Sequence, residues 1–411
     1  MHRIRWNVLL LVLIATLAAT AIRAQEVEDT IRIKTRVVFL DALVKDKKTN
    51  LPISNLTQES FQVLDEGKPR PLSYFTREGE ARKPLALILI LDLREDGAGR
   101  FLKEAEILKS MENELAKLPP GDEVAIMAMN IGEDEQRVWL SDFTNDRAKI
   151  AAALTRVQAL CIKSDGDPPK GTAESRGETT ADPPKPKEVV STETIKGRDG
   201  AVVTRTTMSD GSVNVKRVSK NGKMDIDLGE VYDMSAAVRE ASRKAQELRP
   251  NSQTSLVWVS DGIAPIFYED RDATEQILIH DNVIFNSLTV ELRTLFKFLL
   301  PVGKPIAGWM GMSLYGSAKH LAQQSGGETV KVGRVKDYGA GLSRIIGNLT
   351  ARYSLGFTLA EKESDDGRMH RLEVRVNAPD EKGKKRKLLV SSRQGYYMAT
   401  NAPKEATVRA Q

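Results

Sequence analysis

The sequence predicts an α/β fold: a doubly wound, mostly parallel sheet, flanked at both ends of the chain by β-rich segments. Three observations predict it. Leu85-Ala86-Leu87-Ile88-Leu89-Ile90-Leu91-Asp92 is an unbroken apolar run ending on a carboxylate, the pattern of a strand covered on both faces. Leu256-Val257-Trp258-Val259-Ser260-Asp261-Gly262 repeats that design later in the chain. Around these two runs helical and strand periods alternate, whereas residues 31–78 and 353–397 alternate at every second residue.

The elements follow in order. Residues 31–78 hold short alternating runs such as Arg36-Val37-Val38-Phe39-Leu40 and Ser60-Phe61-Gln62-Val63-Leu64, broken by polar turns at Lys45–Asn50 and Asp65-Glu66-Gly67. They form an N-terminal β module, taken as 25–80. The α/β domain is expected over 81–352. After Leu85–Asp92, the residues Phe101, Leu102, Ala105, Leu108, Met111 and Leu115 share one helical face, and Pro119-Pro120-Gly121 ends that helix. Glu123–Met129 and Gln136–Leu140 are the next strands, and a helix runs from Asn145-Asp146 to Leu160. Residues 163–224 are rich in Pro, Gly, Ser and Thr and poor in large apolar residues, so they are expected to be a largely disordered insertion, with room for a loose hairpin of Val189–Ile195 and Ala201–Thr206 around Gly197–Gly200 that Ser212–Val218 can extend. The α/β pattern resumes with a helix at Tyr232–Leu248, the strand ending at Asp261, a strand at Val283–Leu292, a helix at Leu314–Gln324, a short strand at Thr329–Val332 and a helix at Tyr338–Ala351. Residues 353–400 return to strand alternation and 401–411 are a polar tail. The two β-rich ends are expected to pair into one β-sandwich, from which the α/β domain emerges.

Residues 1–24 stand apart. Arg3 and Arg5 precede the apolar run Val8–Ile22, and Arg23-Ala24-Gln25 follows, which is the layout of a secretory signal cleaved after Ala24. Export implies a periplasmic or secreted protein with no stable membrane span after processing. Removing Arg3, Arg5 and Arg23 lowers the formal charge from +5 to +2, so no net field remains to draw nucleic acid. Cys161 is the only cysteine, which excludes an internal disulfide.

The order of these parts resembles a known family. A β module carries Val44-Lys45-Asp46, Asn55-Leu56-Thr57 and Asp65-Glu66-Gly67-Lys68. An Asp-ended strand, a Ser-Asp-Gly strand end, Tyr353-Ser354-Leu355-Gly356-Phe357 and Gly395-Tyr396-Tyr397 follow. Together these are similar to the von Willebrand factor A-related exported proteins typical of acidobacteria, over most of residues 31–400. The resemblance implies a Rossmann-like domain, often with a divalent ion at the C-terminal edge of the sheet. That site uses Asp-x-Ser-x-Ser after the first strand, a Thr from a later loop and an Asp after the fourth strand. Asp92 and Asp261 match the two Asp positions. Arg94 and Asp96 stand where the serines belong, and Ser235 is the nearest stand-in for the Thr.

Arg94 alters the chemistry that the resemblance implies. A guanidinium is repelled by a divalent cation and is shaped to bridge two carboxylates. The favoured expectation is an internal ion pair of Arg94 with Asp92 and Asp261, and no cofactor. The competing one keeps Mg²⁺ or Ca²⁺ on Asp92, Asp96, Ser235 and Asp261, with Arg94 turned to solvent. Other motifs carry less. His280, His320 and His370 lack the spacing of a zinc site. Gly97-Ala98-Gly99 lacks the Lys-Ser/Thr of a nucleotide loop, and Ser260 lacks a nucleophile elbow. Trp309 is expected to pack inside. The expected function is therefore non-catalytic binding of another protein or an envelope polymer through Asp92, Arg94, Glu95, Asp96 and Asp261. Metal-dependent adhesion, an assembly scaffold and an envelope hydrolase are the alternatives.

Overall fold

The computed structural model describes residues 36–77, 82–94, 98–131, 137–164, 188–197, 199–209, 213–222, 225–227, 234–290, 307–360, 363, 366–379, 384 and 386–398. The expected signal and tail, and residues 165–187 of the expected insertion, lie outside them. The elements begin with β1 (Arg36–Asp46), β2 (Phe61–Asp65), β3 (Lys68–Arg70) and β4 (Tyr74–Thr76). Next come β5 (Leu85–Asp92), α1 (Gly99–Leu102), α2 (Ala105–Leu115), β6 (Glu123–Met129), β7 (Arg137–Thr144) and α3 (Arg147–Ser164). Four strands follow: β8 (Val189–Lys196), β9 (Val202–Met208), β10 (Val213–Val218) and β11 (Asp225–Asp227). Then come α4 (Met234–Leu248), β12 (Gln253–Ser260), β13 (Ile263–Phe267), α5 (Tyr268–His280), β14 (Ile284–Val290), β15 (Met312–Tyr315), α6 (Ser317–Ser325), β16 (Thr329–Val332) and α7 (Tyr338–Thr350). The last strands are β17 (Tyr353–Leu359), β18 (Met369–Val376), β19 (Leu388–Ser391) and β20 (Gly395–Tyr397).

The central sheet has six strands in the order β16-β14-β12-β5-β6-β7. Its pairs are parallel except for the antiparallel edge strand β7. Numbered within the sheet this is the doubly wound order 3-2-1-4-5-6, whose direction of winding reverses between β5 and β12. The apolar run of β5 is fully buried because its two faces serve two cores. Leu85, Leu87, Leu89 and Leu91 pack with α2, α3 and α7, through residues such as Met111, Leu154 and Leu342. Ala86, Ile88 and Ile90 pack on the other face with α4 and α6, through residues such as Ala241 and Leu321. A period of two that is apolar on both sides thus follows from helices above and below.

The strands of the two chain ends interleave. One four-stranded sheet runs β19-β1-β17-β4 and a second runs β20-β18-β2-β3, so each contains N-terminal and C-terminal strands. Leu43 is paired with Ser391, and Val63 with Val374. Side chains of both sheets, among them Leu40, Val63, Phe357 and Leu372, join one apolar cluster. An ion pair between Lys45 and Glu328, 3.0 Å and largely buried, ties this frame to the α/β region.

Two sequence expectations need correction. The helix expected from Phe101 to Leu118 is divided into α1 and α2, because Glu104 takes an extended conformation (φ −73°, ψ 118°). Asp146 caps α3, accepting backbone N–H groups from Ala148 at 2.9 Å and Lys149 at 3.4 Å, in keeping with the helix start expected at Asn145-Asp146. Most importantly, the described part of the 163–224 insertion is more than a loose hairpin: β8, β9 and β10 fall on the three runs marked in the sequence and, with β11 just beyond, form an antiparallel sheet in the order β11-β10-β9-β8. Its buried face alternates Val203 with Arg205, and Val213 and Val215 with Arg217. The valines pack on Ala236, Phe267 and Met312. The arginines meet acids of α5, so the face needs few large apolar residues to be held. The β13–β15 pair and α5 were not expected at all.

Tyr353 gives a test of the interleaved frame. Its buried hydroxyl donates to Ile53 O at 2.6 Å and accepts from Leu56 N at 3.0 Å, linking positions 300 residues apart. Tyr353→Phe should cost about 1–3 kcal/mol, because two buried backbone groups lose their partner. Urea denaturation reads this directly, and an unchanged midpoint would contradict the linkage.

Candidate functional site

Ligand sites in doubly wound sheets lie beyond the strand C-termini where the winding reverses. Here that point is occupied by Asp92, the last residue of β5, and by Ser260-Asp261, at the end of β12. The two strands are paired in parallel, Leu91 beside Val259, so the two carboxylates are delivered side by side.

Arg94 lies between them. Its Nη2 donates to Asp92 Oδ2 at 3.0 Å, to Asp261 Oδ1 at 2.8 Å and to Ile263 O at 3.0 Å. Its Nε is 3.2 Å from both oxygens of Asp92. The three side chains are almost inaccessible, with 1% exposure for each Asp and 5% for Arg94. Ser260 Oγ donates to Asp92 Oδ2 at 2.8 Å and accepts from Gly262 N at 3.3 Å, while Ile263 N donates to Asp261 Oδ1 at 2.9 Å. Two glycines shape the local backbone. Gly262 has φ +86°, turning the chain directly after Asp261. Gly99 lets α1 close onto the loop after β5, donating its N–H to Arg94 O at 2.9 Å; a Cβ there would stand 2.1 Å from Leu93 O.

Asn130 completes the cluster and was not singled out from the sequence. It follows Met129 of β6, which is paired with Asp92, and its Nδ2 donates to Asp92 Oδ1 at 2.8 Å. Its left-handed backbone (φ 57°) is one that Asn tolerates. A polar residue just past the end of a neighbouring strand was the available signal.

This donor set does not fit a divalent ion as it stands. Both oxygens of Asp92 and one of Asp261 are taken by Arg94, Asn130, Ser260 and Ile263 N. A hard cation needs those same oxygens and would have to displace a guanidinium that fills the space between them. Asp261 Oδ2 is buried without a partner. Burial pushes the Asp261 carboxyl above the usual range; Arg94 opposes this and Asp92 adds to it.

The sequence-predicted residues are only partly brought together. Asp92, Arg94 and Asp261 form the cluster; Glu95 and Asp96 lie outside the described residues. Ser235 does not serve as the stand-in for the Thr: its hydroxyl is engaged by a second buried cluster, 2.7 Å from Arg205 Nη1 and 2.5 Å from Asp270 Oδ2. Arg205 also pairs with Asp270 at 2.7 Å, Arg217 pairs with Glu269 at 2.8 Å, and Arg239 reaches Asp270 at 2.9 Å. Negative residues suit the first turn of α5, where unpaired N–H groups favour them. They also receive the arginines of β9 and β10. Trp309 is not packed inside but is 75% exposed.

No protein-family model matches the sequence, and neither does any curated protein. Among solved structures, the chain is similar to the von Willebrand A domain of SpRpn10 at 10% identity, covering 62% of this chain and 94% of that one, with a TM-score of 0.29. It is also similar to the pilus adhesin SpaC of Lactobacillus rhamnosus GG, open conformation, at 8% identity and a TM-score of 0.34, covering 84% of this chain and 48% of the adhesin. Scores this low say nothing of what the chain does; its α/β class follows from strand order and direction. Among the described residues no helix is long and apolar enough to cross a membrane.

The cluster makes a stability prediction with a defined sign. Arg94→Met should cost about 3–5 kcal/mol at neutral pH, since two adjacent buried carboxylates lose their cation. Asp261 has a folded-state pKa above its unfolded one, so the folded chain takes up this proton first as pH falls. Its favourable contribution is full below the unfolded value and is lost as pH rises through the folded one. The deficit of the variant should therefore shrink on acidification through that window. Denaturation at a series of pH values measures it, and a deficit that grows with acid would refute the assignment.

Proposed function

We propose that this chain is an exported, non-catalytic binding module that holds another protein or an envelope polymer at the C-terminal edge of its α/β sheet, without a resident metal. The observation that carries this reading is the buried Arg94 guanidinium bridging Asp92 and Asp261 at the reversal of winding. In the family that the sequence resembles, the ion at this position takes a partner's carboxylate. Here a fixed internal cation holds the two strand ends in one arrangement.

The same geometry narrows how binding works. Arg94 is too buried and too fully engaged to serve as a direct contact for an acidic or amide group on a partner. In this reading Asp92, Arg94 and Asp261 set the shape of the edge, and the contacts come from the loop at Glu95 and Asp96 and from neighbouring surface. The two-sheet frame built from both chain ends acts as a β-sandwich that carries the binding domain. In this reading Ser260 anchors the two carboxylates, with Oγ 2.8 Å from Asp92 Oδ2 and 3.2 Å from Asp261 Oδ1, and is not a nucleophile. Export rests on the basic and apolar layout of residues 1–24.

Calorimetric titration with Mg²⁺ and Ca²⁺ tests the reading. The native chain is expected to give no saturable binding. An Arg94→Ser, Asp96→Ser variant, which restores hydroxyls and removes the guanidinium, is expected to bind at one site. Binding by the native chain that Asp92→Asn or Asp261→Asn abolishes would overturn the metal-free reading and return metal-dependent adhesion.

A further inference from the structure

A second group of side chains lies away from the sheet edge in sequence and belongs to no part of the proposed binding site. We propose that Asp272, Glu275 and His320 form a site for a first-row divalent cation, with Zn²⁺ as its best match. One ligand atom from each of the three lies within 4.8 Å of the others. The grouping is a product of the fold: Asp272 and Glu275 are three residues apart on α5, so their carboxylates leave the same face. His320 comes from α6, and its Nε2 is already 2.6 Å from Glu275 Oε2. Sequence spacing alone gave no sign of it, because the histidine stands 45 positions from that glutamate.

The chemistry of the donors selects the ion. One imidazole and two carboxylates are a mixed nitrogen and oxygen set, which suits Zn²⁺ and its first-row neighbours. Ca²⁺ seeks six to eight oxygens and Mg²⁺ a near-octahedral shell, and neither gains from a histidine. With zinc bonds of about 2.0–2.2 Å, tetrahedral ligand atoms stand roughly 3.4 Å apart, so an ion replaces the proton between His320 Nε2 and Glu275 Oε2, widens that contact and draws Asp272 in, all by small rotamer changes. Arg271 competes for Asp272, with Nη2 2.9 Å from Oδ1, but the second carboxylate oxygen is left for an ion.

The site is also reachable. All three residues are partly exposed. Asp272 lines an open cleft of about 640 Å³ that it shares with Tyr268, Gln276 and Trp309. An ion can therefore enter without unfolding, and three protein ligands leave at least one coordination position for water or for a donor from a bound molecule. A bound ion would also join α5 to α6. The former is the helix whose first turn receives Arg205 and Arg217 from the inserted sheet.

The test is titration of the metal-stripped full chain with Zn²⁺ near neutral pH, followed by calorimetry and by thermal unfolding. One ion per chain is expected, with a rise in Tm on saturation. His320→Gln and Glu275→Gln should each weaken binding at least tenfold and lose the Tm rise, while His280→Gln, at the exposed His280–Asp281 pair, should leave both unchanged. Asp272→Asn is the variant least able to disturb folding, because that side chain is the most exposed of the three, and it should weaken binding in the same way. Absence of saturable binding, equal binding by His320→Gln and the native chain, or loss of binding through His280→Gln would each overturn the assignment.

Discussion

The arrangement at the sheet edge depends on one constraint: two carboxylates carried out of a fully buried sheet on adjacent strands must share a positive charge. β5 and β12 are neighbours because the winding reverses between them, so Asp92 and Asp261 cannot avoid each other. The chain meets the constraint with Arg94, two residues past the end of β5. A guanidinium bound to both strand ends leaves the backbone of Arg94 itself little freedom. Gly99 then has to be a glycine, because α1 begins against the backbone of Leu93 and Arg94. The hydroxyl of Ser260, the amide of Asn130 and Ile263 N, just after the turn at Gly262, add donors to the oxygens that Arg94 already holds, and Asp261 Oδ2 stays buried without a partner.

The same device recurs in the inserted sheet. β9 and β10 carry Arg205 and Arg217 on a face otherwise made of valines, and α5 offers Asp270 and Glu269 in its first turn. Buried ion pairs of this kind add little net stability over an apolar contact of equal size, because each charge must leave water. They do discriminate sharply between one docking geometry and another, since a shifted register would strand a charge. That accounts for a sheet with so small an apolar face having a defined seat.

The central sheet was legible because its strands are apolar on both faces and its helices carry one apolar stripe, patterns that depend on local sequence. The cluster of Asp92, Arg94 and Asp261 was legible for a related reason: charge complementarity and strand-end position are both local, and the family resemblance supplied the pairing. Asn130 was missed because its role appears only once β6 is known to lie beside β5. The strands of the inserted sheet were legible as a loose hairpin, but not that they are seated on the α/β region, because the holding residues are arginines and valines in a segment whose average composition is polar. α5 was missed because two of its buried positions are acids, which break the apolar stripe. Where tertiary ion pairs replace apolar contacts, periodicity no longer reports burial.

The interleaving of the two chain ends has a consequence for the order in which the molecule can assemble. β1 pairs with β19 and β2 with β18, and the hydroxyl of Tyr353 holds backbone 300 residues earlier. On a ribosome, β1 to β4 emerge first and have no partners from the far end until β17 to β20 are made. The α/β region has its own sheet and its own two cores, so it can complete itself in the interval and bring the two ends close. Closing the frame then joins short strands held near each other, and not the ends of a loop of several hundred flexible residues, for which the entropic cost and the delay are greater. Until that moment β1 to β4 present open edges, so the chain is most prone to wrong association late in synthesis, just before its last strands appear.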